Sequence, residues 1–345
     1  MRIALDAMGG DHAPQEPVHG AVEAAAKMAD IDQIILVGSK ELIFAELAKY
    51  PGAVANPRIR VVHCNESIAM DDKPTAAVRR KKDSSINVCI DLLKKGEADA
   101  IVSAGNSGAV ATAAVLGLGR IKGVLRPAIA TVLPTRSLSR PLLLLDAGAN
   151  TDCHEEWLAQ FAVMGVAYSQ TVLRQTQPIV GLMSIGTEDC KGNELTKKAF
   201  PLLQRLNINF RGNVEGHDLF QGETDVIVCD GFVGNVILKT TESVAHAIGS
   251  WMKREFQKHW VRLLGALLLK GALRSLKKRM DPEVCGGAPL LGVPGAVIIS
   301  HGSASYRAIY FAIMAGALAA RNNLSKIIEE RIAQMPRPDA PVPTT

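Results

Sequence analysis

Short, unbroken apolar runs punctuate the chain, and most close on glycine or a small polar residue before a helix-spaced stretch begins. The runs are Arg2–Ala7, Gln33–Val37, Ile59–His63, Asp99–Ser103, Ala128–Leu133, Pro141–Leu145, Ile179–Ile185, Val226–Cys229 and Ala296–Ser300. Their lack of polar alternation predicts strands covered on both faces, as in a parallel sheet. Between most of them, Pro17–Met28, Ser39–Tyr50, Asn106–Gly119, His154–Leu173, Glu194–Leu206 and Ser303–Gln334 repeat apolar residues at helical spacing. This alternation predicts a three-layer α/β/α fold around a mostly parallel, doubly wound sheet. No repeat and no Gly/Ser-rich or charged linker divides it, so residues 1–335 read as a single catalytic domain. The Pro-rich end, 336–345, reads as a disordered tail. One stretch departs from the pattern. From Ser243 to Met280, helix follows helix with no strand between, so 243–282 reads as a projecting helical hairpin that bends near Gly265 or Gly271.

Composition trims the possibilities. Only 4% of the 345 residues are aromatic, so the core must be built from Ala, Val, Ile and Leu. A nucleic-acid partner is not expected, because base stacking needs aromatic faces. The start, MRIALDAMGG, lacks the apolar core of a secretory signal. No window reaches the roughly 18 uncharged apolar residues of a spanning helix. A soluble, cytoplasmic protein is therefore expected. The six cysteines lie far apart without a CxxC pair, which suits reduced, mostly buried thiols.

The chemistry is expected where strands end, because ligands of open α/β sheets bind beyond the carboxyl ends. The loops there are Asp6–Pro14, Ser103–Ala109, Asp146–Asn150, Gly186–Asn193, Asp230–Asn235 and His301–Ser305. Glycine lets the backbone approach a ligand closely, and a helix N-terminus turns free N–H groups toward an anion. Taken singly, each loop also reads as a turn or cap. Taken together at one sheet edge, they predict a shared anion site. Its candidate residues are Asp6, Gly9, Gly10, Ser103, Gly105, Asn106, Ser107, Gly108, Asp146, Asn150, Gly192, Asp230 and Gly234.

GxxxxGK[ST], GxGxxG after the first strand, GxSxG and HExxH are all missing, as is any Cys/His cluster. Neither metal nor cofactor is expected. Arg79, Arg80, Lys81 and Lys82 follow a helix start at Pro74 and precede a restart at Asp83 or Ser84. They face either the anion site or solvent. Lys191 sits beside a helix start, where a cation is unfavourable unless an anion joins it. His12 and His301 read as structural hydrogen-bonders or as acid–base groups.

The segments LDAMGGDHAP, DDKPTAAVRRKKDSS, SAGNSGA, LLDAGAN, IGTEDCKGN, GNVEGHD, VCDGFVGNVILKT and GGAPLLGV with its following HGS occur in order between residues 5 and 305. As a set they resemble the PlsX family of phosphate acyltransferases. The resemblance implies a homodimer with a fold similar to isocitrate/isopropylmalate dehydrogenases and phosphotransacetylases. It implies conversion of acyl-(acyl carrier protein) and inorganic phosphate to acyl phosphate and free carrier, for phospholipid synthesis. Ser107 stands where threonine is expected, Ser184 and Thr187 replace an asparagine and an acid, and Ala304 replaces a serine.

On that chemistry, Lys191 and Asn193 are assigned to phosphate or oxyanion contact, and Asn106 and Ser107 to phosphate at a helix start. Asn235 orients the thioester, and Lys81 and Lys82 add positive field. His12 or His301 hydrogen-bonds or protonates the departing sulfur. The rival readings are a phosphotransacetylase-like enzyme using acyl-CoA, a decarboxylating dehydrogenase, and a non-enzymatic membrane scaffold.

Between Lys253 and Arg279 stand nine Lys or Arg and one acid, Glu255. Leu264, Leu267 and Leu268 share one face with Trp260; Leu273 and Leu276 form a second stripe, flanked by Lys270, Arg274, Lys277 and Lys278. A basic amphipathic pair suits docking on a membrane surface or on the acidic carrier, or the core of a dimer or hairpin. The resemblance favours the inner membrane face, next to a downstream glycerol-3-phosphate acyltransferase.

Overall fold

Eleven strands form one sheet in the computed structural model, which describes residues 1–137, 140–279 and 286–336. They are β1 (Arg2–Asp6), β2 (Gln33–Gly38), β3 (Ile59–His63), β4 (Ala100–Ser103), β5 (Ala128–Leu133), β6 (Leu142–Leu145), β7 (Ile179–Met183), β8 (Asn209–Val214), β9 (Val226–Val228), β10 (Ala288–Leu291) and β11 (Ala296–Ile299). Their order is β3-β2-β1-β4-β11-β10-β5-β6-β9-β7-β8. All nine runs singled out by hydrophobicity are strands. The helices are α1 (Gln15–Lys27), α2 (Lys40–Leu47), α3 (Pro74–Arg80), α4 (Ser85–Lys94), α5 (Ser107–Leu118), α6 (Glu155–Thr171), α7 (Glu194–Gln204), α8 (Gly231–Gln257), α9 (Trp260–Leu268), α10 (Lys270–Arg279), α11 (Tyr306–Arg321) and α12 (Leu324–Ala333).

Helices cover both faces, as expected of an α/β/α fold. On one face α1, α2, α6, α7, α11 and α12 bury their apolar stripes against residues such as Ile3, Leu36 and Leu143. On the other, α4, α5 and the start of α8 cover Ala4, Ile35, Ile101 and Leu144. The four leucines of β6 are all fully buried and turn alternately to the two sides. An unbroken apolar strand is stable only in this doubly covered position.

Three pairings are antiparallel: β11 with β10, β10 with β5, and β5 with β6. The other seven are parallel. Strands β3, β2, β1, β4 and β11 therefore end at one edge, and β6, β9, β7 and β8 end at the opposite edge. This corrects the single-edge expectation. Loops Asp6–Pro14, Ser103–Ala109 and His301–Ser305 share a first edge, whereas Asp146–Asn150, Gly186–Asn193 and Asp230–Asn235 share a second.

Two helical expectations also change. Ser303–Gln334 is broken into α11 and α12 at Asn322 and Asn323, the latter left-handed with φ 50°. The basic segment bends at His259, which is extended (φ −146°), and loosely at Leu269, while Gly265 and Gly271 lie inside helices. The far end of the hairpin (280–282) and residues 337–345 of the tail fall outside the described residues.

Candidate active site

At the first edge, Asp6 anchors three loops. It is almost fully buried and accepts from Ser103 Oγ (2.7 Å) and from the backbone N–H of Met8 (3.1 Å). Burial pushes its carboxyl up, against the downward pull of the Ser85 and Ser103 hydroxyls. The glycines allow the loops to close on one another. A Cβ on Gly9 would sit 2.7 Å from Gly105 N, and one on Gly10 would sit 2.9 Å from the Gly302 carbonyl. Gly10 also has φ +102°, a conformation glycine adopts without strain. Asp11 N–H donates to the same Gly302 carbonyl at 2.8 Å, tying the first loop to the last.

Helix α5 starts in this cluster. Asn106 caps it by accepting from Ala109 N–H, while its Nδ2 donates to the carbonyls of Met70 and Asp72. Each such bond contributes about 1 kcal/mol, so the cap also clips the 66–84 segment to the site. Lys81, at the end of α3, donates to Asp72 at 2.6 Å and to the Ser67 carbonyl at 2.9 Å. The Lys81 hydrogen bond holds the Asp72 carboxyl below its usual range. Pro74 begins α3 as expected; Ser84 precedes α4 but its buried hydroxyl makes no cap. The N–H groups of Ser107 and Gly108, both exposed, have no hydrogen-bond partner among the described residues. They head a helix of 12 residues, whose dipole makes this end electropositive.

His301 lies on the last loop of this cluster, next to the Gly302 whose carbonyl Gly10 and Asp11 approach. Its Nδ1 lies 2.8 Å from Ser303 Oγ and 3.2 Å from Ser303 N–H, and its Nε2 lies 3.4 Å from Lys239 Nζ. Lys239 comes from α8, which begins at the second edge and reaches the first. Hydrophobicity gave no signal for it. Its spacing of four from Asn235 was legible, since such residues share a helix face.

At the second edge, Asp146 accepts from the N–H groups of Ile129, Gly148, Ala149 and Asn150 and from Asn150 Nδ2. Burial raises this carboxyl while those donors oppose the rise. Asn150 also donates to the Pro127 carbonyl and accepts from Gly231 N–H. Asp230 caps α8 through Val233 N–H, and Gly234 lets α8 press onto the Asp146 carbonyl. In the neighbouring loop Gly192 has φ +110°, and Asn193 caps α7 by accepting from Thr196 N–H and Oγ1. Lys191 is exposed there, and its side chain makes no hydrogen bond or ion pair with a first-edge residue among the described residues.

The candidates thus divide by what their polar atoms already do. Asp6, Ser103, Asn106, Asp146, Asn150, Asp230 and Asn193 are spent on shaping loops, and Lys81 on Asp72. Among the described residues, the side chains of His12, Lys82, Ser107, Lys191 and Asn235 make no hydrogen bond or ion pair. The first edge brings together His12, Ser107, Gly108, Lys81 and His301, with Lys239 added by α8. It does not bring in Lys191 and Asn193.

A profile of the family described as "Fatty acid synthesis protein" matches residues 1–327. A phosphate acyltransferase of Desulfitobacterium hafniense is 51% identical over 338 residues, covering 98% of each chain. Another, from Thermoanaerobacter pseudethanolicus, is 47% identical, covering 97% of this chain and 98% of its own. Among solved structures, a phosphotransacetylase from Streptococcus pyogenes aligns with a TM-score of 0.62 at 20% identity, over 93% of this chain and 94% of its own. That likeness concerns the fold.

Proposed function

The chain belongs to the phosphate acyltransferase family and is an acyltransferase, and from that premise we propose that its first-edge loops hold inorganic phosphate against an acyl thioester borne by an acyl carrier protein. A phosphate oxygen attacks the carbonyl carbon, and the tetrahedral oxyanion collapses with loss of the C–S bond. The proton of HPO₄²⁻ ends on the departing thiolate, giving acyl phosphate and the free carrier thiol. Phosphate is already a nucleophile, so what is needed is alignment and oxyanion stabilisation. One observation carries the reading: two unpartnered N–H groups at the start of α5 lie in a loop cluster that also holds His301. Asn235 and Lys82 remain available to the thioester and to the negative charge of the substrates.

Incubation with acyl carrier thioester and phosphate, followed by hydroxylamine, should trap acyl hydroxamate. Acyl-CoA in place of the carrier should turn over more slowly. Absence of phosphate-dependent hydroxamate from the acyl carrier thioester sinks the proposal.

The reading extends to where the enzyme works. No helix among the described residues is long and apolar enough to cross a membrane. Trp260, Leu264, Leu267 and Leu268 are nevertheless exposed on α9, the last at 83%, amid the basic residues. This supports docking on the anionic inner face of the membrane, near a glycerol-3-phosphate acyltransferase that consumes acyl phosphate for phospholipid synthesis. Exposed Val244, Ile248 and Trp251 on α8 support a homodimer seam.

A further inference from the structure

Lys239 and His301 make a contact that does not satisfy either of them. A backbone N–H only donates, so the Ser303 N–H facing Nδ1 at 3.2 Å makes that nitrogen an acceptor. The Ser303 hydroxyl, 2.8 Å away, can donate to it as well. In the neutral ring the proton then belongs to Nε2. That N–H stands 3.4 Å from the Lys239 ammonium, which has no acceptor to offer. Two donors thus converge on one point of the first edge, where an oxyanion can accept from both. The acceptor that Lys239 holds among the described residues is Glu242, one turn along on the same exposed helix surface at 3.0 Å. Such a pair contributes little and yields readily to a better anion.

The position of Lys239 is not accidental. Gly234 seats α8 on the Asp146 carbonyl, and Asp230 caps the helix start, so the second-edge loops fix how far α8 reaches toward His301. We propose that Lys239 and His301 Nε2–H clamp one oxygen of the phosphate nucleophile, making Lys239 a further catalytic residue of the acyl transfer proposed above, on which this inference rests. The clamped oxygen is a spectator; a second oxygen attacks the carbonyl. No proton passes through the clamp, so His301 binds the nucleophile and does not protonate the leaving sulfur.

Phosphate-saturation kinetics on Lys239→Met, Lys239→Arg and His301→Gln test this. Lys239→Met should lower kcat/KM for phosphate about 100-fold while leaving KM for the acyl carrier unchanged. Lys239→Arg should recover most of the loss. Lys239→Met combined with His301→Gln should cost less than the product of the single losses, since both act on one oxygen. Long-range ¹⁵N–¹H spectra of histidine-labelled protein give an independent readout. His301 should carry its proton on Nε2, and added inorganic phosphate should shift it in the wild type but not in Lys239→Met. Undiminished phosphate use by Lys239→Met, or a proton on Nδ1, overturns the clamp. If the wild type forms no acyl phosphate, the acyl-transfer reading fails, and the phosphate titration alone still decides whether the clamp exists.

Discussion

Residue by residue, the carboxylates that looked like ligand groups hold loops in place. Asp6 illustrates the cost. Its burial raises the carboxyl above the ordinary aspartate range, so the folded protein keeps this proton to a higher pH than the unfolded chain does. Stability from this group is complete below the unfolded value and is lost as pH rises through the raised folded one. Urea unfolding from acid to neutral pH should show the wild type losing ground to Asp6→Asn as pH rises; a flat difference would refute the buried charge. The thiols follow the same physics. Burial, the first cause in each case, pushes Cys64 and Cys153 up to about 12 and raises Cys89 and Cys229 as well. Cys190 is exposed. Alkylation near pH 8 followed by mass spectrometry should modify Cys190 well before Cys64 or Cys153, and the reverse order would contradict the burial. The sequence showed that polar residues cluster at strand ends. It could not show which of them are spent, because that depends on partners far along the chain, such as Met70 for Asn106 and Pro127 for Asn150.

Among the elements, the central strands were legible because both their faces are apolar, and the exceptions have physical causes. β8 (NFRGNV) is an edge strand with polar positions, so it carries no unbroken apolar run. β10 is four residues long and contains Pro289, which has no N–H for a ladder and argues against an interior strand. The basic arm was legible as helix, but its bends were not. Glycine marks a bend only where the backbone departs from helix, and here it is His259 that does so. Past Glu242, α8 and α9 bury no residue among those described, so this part of the arm stands clear of the core. If it docks on lipid, Leu268→Glu and Leu264→Glu should abolish flotation with anionic vesicles, at about 1.5–3 kcal/mol of lost burial for each leucine. Turnover of soluble acyl carrier should stay intact. Unchanged flotation removes the membrane role, and lost turnover with unchanged flotation assigns the arm to the carrier.

For the molecule as a whole, the deciding feature is the reversal of strand direction at β10 and β5, and part of it was available in the sequence. β5 and β6 follow one another with only residues 134–141 between them, too few for the crossover a parallel pair needs. Two successive runs without a helix between them therefore signalled an antiparallel pair, and with it the split of the loops between two edges. The split separates two lysines. His301 follows β11 and Lys191 follows β7, five strand steps away in the sheet order. At about 4.8 Å per step those two strand ends lie roughly 24 Å apart across the sheet. Helix α8, which starts at Gly231 after β9, the strand beside β7, crosses that gap to bring Lys239 to His301. Lys191, exposed and without an ion-pair partner among the described residues, suits steering of the acidic carrier, which acts on association and weakens with salt. Lys191→Ala should therefore lower kcat/KM for the carrier in a salt-sensitive way and leave the phosphate KM untouched. Its loss should multiply with that of Lys239→Met, because separated groups without shared partners act independently. A double variant no slower than the worse single one would mean that both lysines meet one anion.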